Sequence, residues 1–283
     1  MILEFLESWT LFSHTYVSAL LIGASLSLMG VVVVARGNIF VAAALAQASV
    51  LGVALSLFFE IGQPVLSAVL CSVGASLLVS RKHQEGGVST SEEITGWIFL
   101  AGGSLSVLLL ARMPYGLKEI QSLFSSSIIG ASSADIIVFG VLLFVFVGFL
   151  VLRMRRLTLY LSDPVMAAAV GANIILWSIV ISSALGLVTG LAIRSSGMLF
   201  TFGSMILPAQ MAKIMCRNIS GMFLVAPLMA IFCVMLGLML GNYYDLPPAQ
   251  TVVALMCFLL VLTWVLRWVF DYVFLVSKSS GDS

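Results

Sequence analysis

Long apolar stretches separated by short polar connections constrain the fold of this 283-residue chain more than any other feature. A helix that crosses a bilayer needs about 20 mostly apolar residues. Because lipid cannot hydrogen-bond the backbone, each crossing stretch must satisfy its own backbone groups as a helix. The sequence therefore predicts an all-α polytopic membrane protein with about nine transmembrane helices. The predicted spans are 15–35, 39–60, 64–80, 94–111, 135–152, 172–193, 197–215, 219–241 and 249–270.

The composition excludes several classes of protein. Hydrophobic residues make up 61% of the chain and charged residues 9%, with a mean hydropathy of +1.18. An ordinary soluble domain carries about 25% charged residues, so a soluble enzyme and a nucleic-acid-binding protein are excluded. The four cysteines have no CxxC spacing. We expect all four to be small buried apolar side chains rather than a disulfide framework or a zinc site.

The distribution of lysine and arginine predicts the orientation, since cytoplasmic loops carry an excess of both. With the N-terminus outside, ten basic residues fall inside and three fall outside, namely Arg112, Lys118 and Arg194. The inside residues are Arg36, Arg81, Lys82, Arg153, Arg155, Arg156, Lys213, Arg217, Arg267 and Lys278. We therefore predict N-out and C-in. We expect a single transmembrane domain over 1–283, with an outside segment 1–15, a helical bundle 16–270 and a cytoplasmic tail 271–283.

The sequence indicates no catalytic residues and no cofactor. It contains no GxxxxGK[ST] motif for ATP binding. If the protein takes part in ATP-driven transport, a separate chain must supply the ATPase. Glu60 and Asp135 lie at span ends, Asp245 lies in a turn, and His14 and His83 lie outside the spans. Ion-coupled carriers usually keep an ionisable group near the midplane, so this pattern argues against a secondary carrier and against an intramembrane hydrolase.

The second span carries a lone amide, Gln47, on a helix rich in alanine that also contains Ala43 and Ser49. An amide in hydrocarbon needs a hydrogen-bond partner. Two interpretations stay open here: Gln47 joins two helices, or it lines a translocation pathway.

The stretch 186–212 contains a GxxxG pair, Gly186 and Gly190, which favours close helix packing. Pro208 removes a backbone donor and predicts a kink in the seventh span, with Gln210 close by. A kinked helix with a nearby amide fits a moving pathway helix and fits plain packing equally well.

The inside segment 153–171 contains DPVMAAAVG at residues 163–171. Asp163 followed by Pro164 is typical of an N-cap and a first helical position, and Gly171 is typical of a helix end. Small residues such as Ala168 would let this short helix sit in a groove of a cytoplasmic partner, although an interfacial linker is the alternative. On the outside, residues 112–134 include LFSSSIIG, which is too short to span the membrane and predicts a short helix that lies on the outer face or dips into it.

The order of motifs resembles the permease subunit of the zinc/manganese/iron-type ABC importers, to which the cobalamin and siderophore importers are related. The resemblance covers roughly residues 16–268 in seven ordered pieces. These are GVVVVARGNIF, AAALAQASVLGVA, STSEEITGWIF, SLFSSSIIGASSADI, DPVMAAAVG, GMLFTFGSMILPAQMAK and DLPPAQTVV.

The resemblance implies a multi-pass protein of a bacterial plasma (inner) membrane that pairs with a second copy or a paralogue. It also implies a cytoplasmic ATPase dimer and an extracytoplasmic metal-binding protein as partners. Asp163, Pro164, Ala168 and Gly171 would belong to the helix that couples to the ATPase. The outside loops 112–134 and 242–248 would dock the binding protein. The translocation pathway would include Ala43, Gln47, Ser49, Gly190, Pro208 and Gln210.

One departure from the family pattern affects the metal. The family's Asp and His, four residues apart on the second helix, correspond here to Ala43 and Gln47, and the family's Leu-Phe-Gly reads Leu123-Phe124-Ser125. A neutral amide is a poor transition-metal ligand, so no metal site is assigned. A second permease could supply the ligands, metal could pass without stopping here, or the substrate could be a metal chelate or another small solute. A non-transporting scaffold or a secondary carrier is the alternative from another class.

Overall fold

The computed structural model describes residues 2–113, 118 and 133–279, with side chains over 13–81, 92–113, 118, 133–270 and 272. Throughout this part of the chain the regular structure is α-helical, as predicted. The described helices are α1 (Ile2–Ala35), α2 (Phe40–Phe58), α3 (Pro64–Leu110), α4 (Ser133–Ser162), α5 (Pro164–Ala169), α6 (Ile174–Met215), α7 (Ile219–Tyr243) and α8 (Pro248–Ser279). Eight stretches of these helices are long and apolar enough to cross a membrane, so the chain is a multi-pass membrane protein.

Helix α3 contains two of the predicted spans, and both pack on α2. A Cβ on Gly52 would lie 2.3 Å from the Ser67 carbonyl oxygen, and a Cβ on Gly102 would lie 3.1 Å from the Gln47 Cβ. Ala68 and Leu110 also share one apolar cluster with α2, although a straight helix would separate them by about 63 Å. The chain therefore reverses direction between Arg81 and Glu92, between the predicted spans 64–80 and 94–111.

Helix α6 likewise contains the predicted sixth and seventh spans. Ser182 lines a cavity with Arg36, and Lys213 lines another with Val34, so both ends of α6 meet the end of α1. A straight helix would hold Ser182 and Lys213 about 47 Å apart. The backbone leaves helical geometry at Gly197, with φ 77° and ψ 169°. The two spans are thus antiparallel neighbours joined at Gly197.

The interior of the bundle is formed by α1, α2 and both halves of α6, whereas α4 and α8 lie at its periphery. Close approach of backbones sets this packing. A Cβ on Gly30 of α1 would lie 1.6 Å from the Met205 carbonyl oxygen of α6, so only glycine allows the two helices to come this near.

Two details, the lengths of the terminal helices and the burial of the cysteines, differ from the predictions. Helix α1 already begins at Ile2 and α8 continues to Ser279, because a continuing helix keeps its backbone hydrogen bonds satisfied beyond the apolar stretch. Cys233 is buried as expected, but Cys71 and Cys216 are half-buried and Cys257 is exposed, because it lies on the outer face of peripheral α8. The predicted short helix LFSSSIIG lies outside the described residues.

Candidate coupling and translocation residues

The short helix α5 is built as its sequence predicts. Asp163 has an extended backbone, and its Oδ1 accepts hydrogen bonds from the amides of Val165 (2.9 Å) and Met166 (3.0 Å). Pro164 occupies the first turn, where no amide hydrogen is needed. Gly171 adopts a φ of 83°, which suits glycine and ends the segment. Asp163 and Gly171 thus define a rigid six-residue element.

Helix α5 presents an apolar surface away from the bundle. Val165 is 79% exposed and Met166 57% exposed, and Ala168 is exposed beside them. Ala167 points the other way and is fully buried. Exposure of these apolar side chains to water is unfavourable, and contact with another protein would bury them.

Aromatic and basic side chains join the two helices that flank α5. Arg36, just after α1, donates a hydrogen bond to the hydroxyl of Tyr160 on α4 and lies 4.9 Å from that ring's centroid. Tyr160 in turn stacks on Trp177 of α6 at 6.1 Å. Burial lowers the pKa of the Arg36 guanidinium, while its contact with Tyr160 acts in the opposite direction. Tyr160 lies near the end of α4 and Trp177 near the start of α6, so the contact links Arg36 to the helices before and after α5.

The residues of α2 singled out from the sequence are buried inside the protomer. Gln47 is 6% exposed, and its Oε1 has no hydrogen-bond partner among the described atoms. The amide packs on a glycine pair: a Cβ on Gly103 would lie 3.3 Å from that Oε1. Ser49 is fully buried with an unpartnered Oγ, and Ala43 is also buried. In this conformation α2 and α3 are in direct contact at Gln47, with no open space between them there.

The predicted close packing at Gly186 and Gly190 is confirmed. A Cβ on Gly190 would lie 2.6 Å from the Val69 Cα, and one on Gly186 would lie 2.6 Å from the Val73 Cα. The Ser72 hydroxyl donates a hydrogen bond to the Gly186 carbonyl. These glycines therefore hold α6 against α3.

The backbone of α6 is non-helical at Gly197, at the junction of the predicted sixth and seventh spans, and the kink predicted at Pro208 stays a prediction. Pro208 itself is buried within the helical run. A glycine reaches the φ of 77° that a proline ring forbids, which explains why the chain turns there. Gln210 is half-buried and lines a cavity of about 620 Å³ with Lys213 and Arg267.

The six residues assigned to the pathway do not form one lining. Ala43, Gln47 and Ser49 lie within α2, and Gly190 packs against α3. Gln210 lines a separate cavity, which it shares with Lys213 and Arg267. Among the described residues, no three His, Cys, Asp or Glu side chains are grouped to hold a metal ion.

Sequence reasoning missed the cluster of Arg36, Tyr160 and Trp177, and the partnership of Gln47 with Gly102 and Gly103. A glycine pair in an apolar span is a usable signal for close approach. No local pattern relates Arg36 to Tyr160, because 124 residues separate them in sequence.

Several of the basic residues predicted to lie inside are found near one end of the bundle. Arg36 contacts Tyr160, and Lys213 shares a cavity with Val34 and Arg267. Arg194, predicted outside, lines a groove with Gln63 and Pro64 at the opposite end. Which end faces the cytoplasm stays a prediction.

Comparison with known proteins agrees with this fold. The manganese transport system membrane protein MntC of Halalkalibacterium halodurans is 24% identical over 88% of this chain and 84% of its own length. The high-affinity zinc uptake system membrane protein ZnuB of Haemophilus influenzae is 25% identical over 87% of this chain and 95% of its own.

The fold is also that of solved structures. The structure of PsaBC from Streptococcus pneumoniae in complex with Fab superposes with a TM-score of 0.81 at 18% identity, covering 93% of this chain and 95% of the other. An inward-facing metal-chelate type ABC transporter gives 0.76, also at 18% identity, covering 92% and 88%. The model of the ABC 3 transport family matches residues 8–267. With that match across nearly its whole length, the chain belongs to the ABC 3 transport family.

Proposed function

We propose that this chain is the membrane-spanning permease subunit of an ATP-driven importer of divalent metal ions in a bacterial plasma membrane. The family match and the relatives named for manganese and zinc transport support it; iron is the third candidate. Substrate arrives from an extracytoplasmic binding protein, a second permease copy or paralogue completes the pathway, and separate cytoplasmic ATPase subunits hydrolyse ATP. The chain itself has no catalytic site. Its N-terminus lies outside and its C-terminus inside.

The observation that carries the proposal is the exposed apolar surface of α5, held rigid by the Asp163 cap. ATP binding closes the paired ATPases and displaces α5. The displacement reaches the bundle through Tyr160 and Trp177, which flank α5. Spans meeting at Gly190 and containing Pro208 then tilt, and α2 separates from α3 at Gln47 to open the pathway.

The proposal is tested by ATP-dependent uptake of radioactive manganese, zinc and iron into vesicles containing the permease with its co-expressed ATPase and binding protein. Met166→Asp places a charge on the α5 surface. We expect it to abolish uptake and to remove the ATPase during purification. Met215→Asp is the matched control, because Met215 is the same residue type with the same 57% exposure but lies at the end of α6.

Uptake that survives Met166→Asp, with the ATPase still bound, would overturn the role of α5. Uptake that follows a proton gradient without ATP would favour a secondary carrier. No uptake of any solute would favour a non-transporting scaffold.

A second candidate is import of a metal chelate or another small solute on the same architecture. Ala43 and Gln47 offer no strong metal ligand, which favours it. Competition separates the two: excess free metal blocks uptake of the labelled metal by a metal permease, whereas excess preformed chelate blocks it in a chelate importer. Co-expression with a second permease that carries Asp and His at these positions tests whether a partner supplies the ligands.

A further inference from the structure

A cavity of about 490 Å³ lies between α4, α5 and the first half of α6. Phe149, Arg153 and Arg156 line it from α4. Their i, i+4, i+7 spacing places all three on one helix face. Arg155, between them in sequence, is exposed but does not line the cavity.

The cavity changes from apolar to cationic along its length. By the predicted span 135–152, Phe149 falls within the hydrocarbon and both arginines fall just beyond its end. On α6, which enters the membrane after Asn173, Val180 is the deep residue that lines the same cavity. Trp177 lies between these levels, with its ring centroid 5.7 Å from that of Phe149. Tryptophan commonly lies at this interfacial depth.

The charge of the lining selects an anion. Among the described residues that line the cavity, Arg153 and Arg156 are charged and none is acidic. The first turn of α6, capped by Asn173, also borders it, and the amino end of a helix carries partial positive charge. Cationic side chains bind phosphate through charge-assisted hydrogen bonds.

We propose that this cavity binds an anionic glycerophospholipid of the adjoining leaflet. Its phosphate lies between Arg153 and Arg156, and an acyl chain follows Phe149, Leu176 and Val180. Basic pockets between transmembrane helices are suited to such headgroups. On the α5 side the cavity is lined by Ala167, Val170 and Gly171, whereas the exposed Val165 and Met166 do not line it. The site requires only a membrane-embedded chain and is independent of the transported solute.

The test measures lipid retained by the purified full-length permease after exchange with phosphatidylglycerol or phosphatidylcholine of the same acyl composition, quantified by mass spectrometry. Wild type and the matched control Arg155→Gln retain phosphatidylglycerol preferentially. Arg153→Gln with Arg156→Gln lowers its retention by about fivefold per arginine, to the level of phosphatidylcholine. Arg153→Lys with Arg156→Lys keeps the preference.

Equal retention of the two lipids by wild type, or an equal loss in Arg155→Gln, would overturn the proposal. Loss of the preference in the lysine pair would also overturn it, because that variant keeps both charges. Displacement of phosphatidylglycerol by millimolar inorganic phosphate would assign the site to a free anion instead. If the glutamine pair kept its lipid but lost a co-purifying protein, the cavity would be a protein contact and the lipid site would be wrong.

Discussion

The guanidinium of Arg36 lies over the ring of Tyr160, 4.9 Å from its centroid, and also donates to its hydroxyl. A cation over an aromatic ring contributes about 0.5–2 kcal/mol, more when water is excluded. Tyr160 is buried and stacks on Trp177, so this contact joins the ends of three helices beside α5.

Arg36→Ala should therefore lower the thermal stability of the purified permease and weaken the coupling of ATP hydrolysis to transport. Tyr160→Phe keeps the ring and should lose only the hydrogen bond, about 1 kcal/mol. Thermal unfolding and the ratio of solute moved to ATP hydrolysed measure the two effects. Arg217→Ala is the control, because Arg217 is an exposed arginine. If Arg36→Ala and Arg217→Ala move the same amount of solute per ATP hydrolysed, the contact of Arg36 with Tyr160 is structural only.

Gly190→Ala should destabilise the packing of α6 on α3. Its new Cβ would lie 2.6 Å from the Val69 Cα, a backbone atom that cannot move without shifting the helix. Overpacking of this kind costs about 1–3 kcal/mol. Gly148→Ala is the control, because a Cβ there meets no atom within 4 Å. Equal unfolding temperatures for Gly190→Ala and Gly148→Ala would contradict the close approach of Gly190 to the α3 backbone.

Gly197→Ala should destabilise the turn between the two spans of α6. A φ of 77° with a ψ of 169° is a conformation essentially restricted to glycine, and forcing another residue into it costs about 1–3 kcal/mol. The measurement is thermal unfolding, supplemented by protease accessibility near the turn. Unchanged values for both would mean that the chain does not turn at Gly197.

Gln47→Met should leave folding stability unchanged or raise it, because a buried oxygen without a partner is replaced by an apolar group of similar volume. Transport should nevertheless fall if Gln47 lines the opened pathway. Ser56→Ala removes a second unpartnered buried oxygen from α2, outside the residues assigned to the pathway, and is the control for the loss of polarity alone. Uptake by Gln47→Met equal to that of wild type would assign Gln47 to helix packing.

Asp163→Ala should lower uptake through loss of the cap on α5. Removing an N-cap costs about 1 kcal/mol, whereas asparagine caps as well as aspartate. Asp163→Asn should therefore keep both helix and uptake. Hydrogen exchange at the amides of Val165 and Met166 reports the helix directly, since these amides bond to Asp163. Faster exchange without loss of uptake would show that coupling does not need a preformed α5.

The sequence by itself determined the membrane class, the spans and the capped helix α5. Each depends on local chemistry: a bilayer accepts only long apolar helices, and Asp163 with Pro164 and Gly171 sets its own backbone. The contact of Gly190 with a neighbouring helix could be predicted for the same reason, although its partner Val69 could not.

Only the tertiary structure decided which helices meet. It packed Gln47 against Gly102 and Gly103, brought Arg36 to Tyr160, and placed Arg153 and Arg156 on a cavity shared with α6. In hydrocarbon every apolar helix face is equally soluble, so hydropathy does not select a partner. Backbone approach at glycines and a few buried polar contacts make that selection, and they act between residues far apart in the chain.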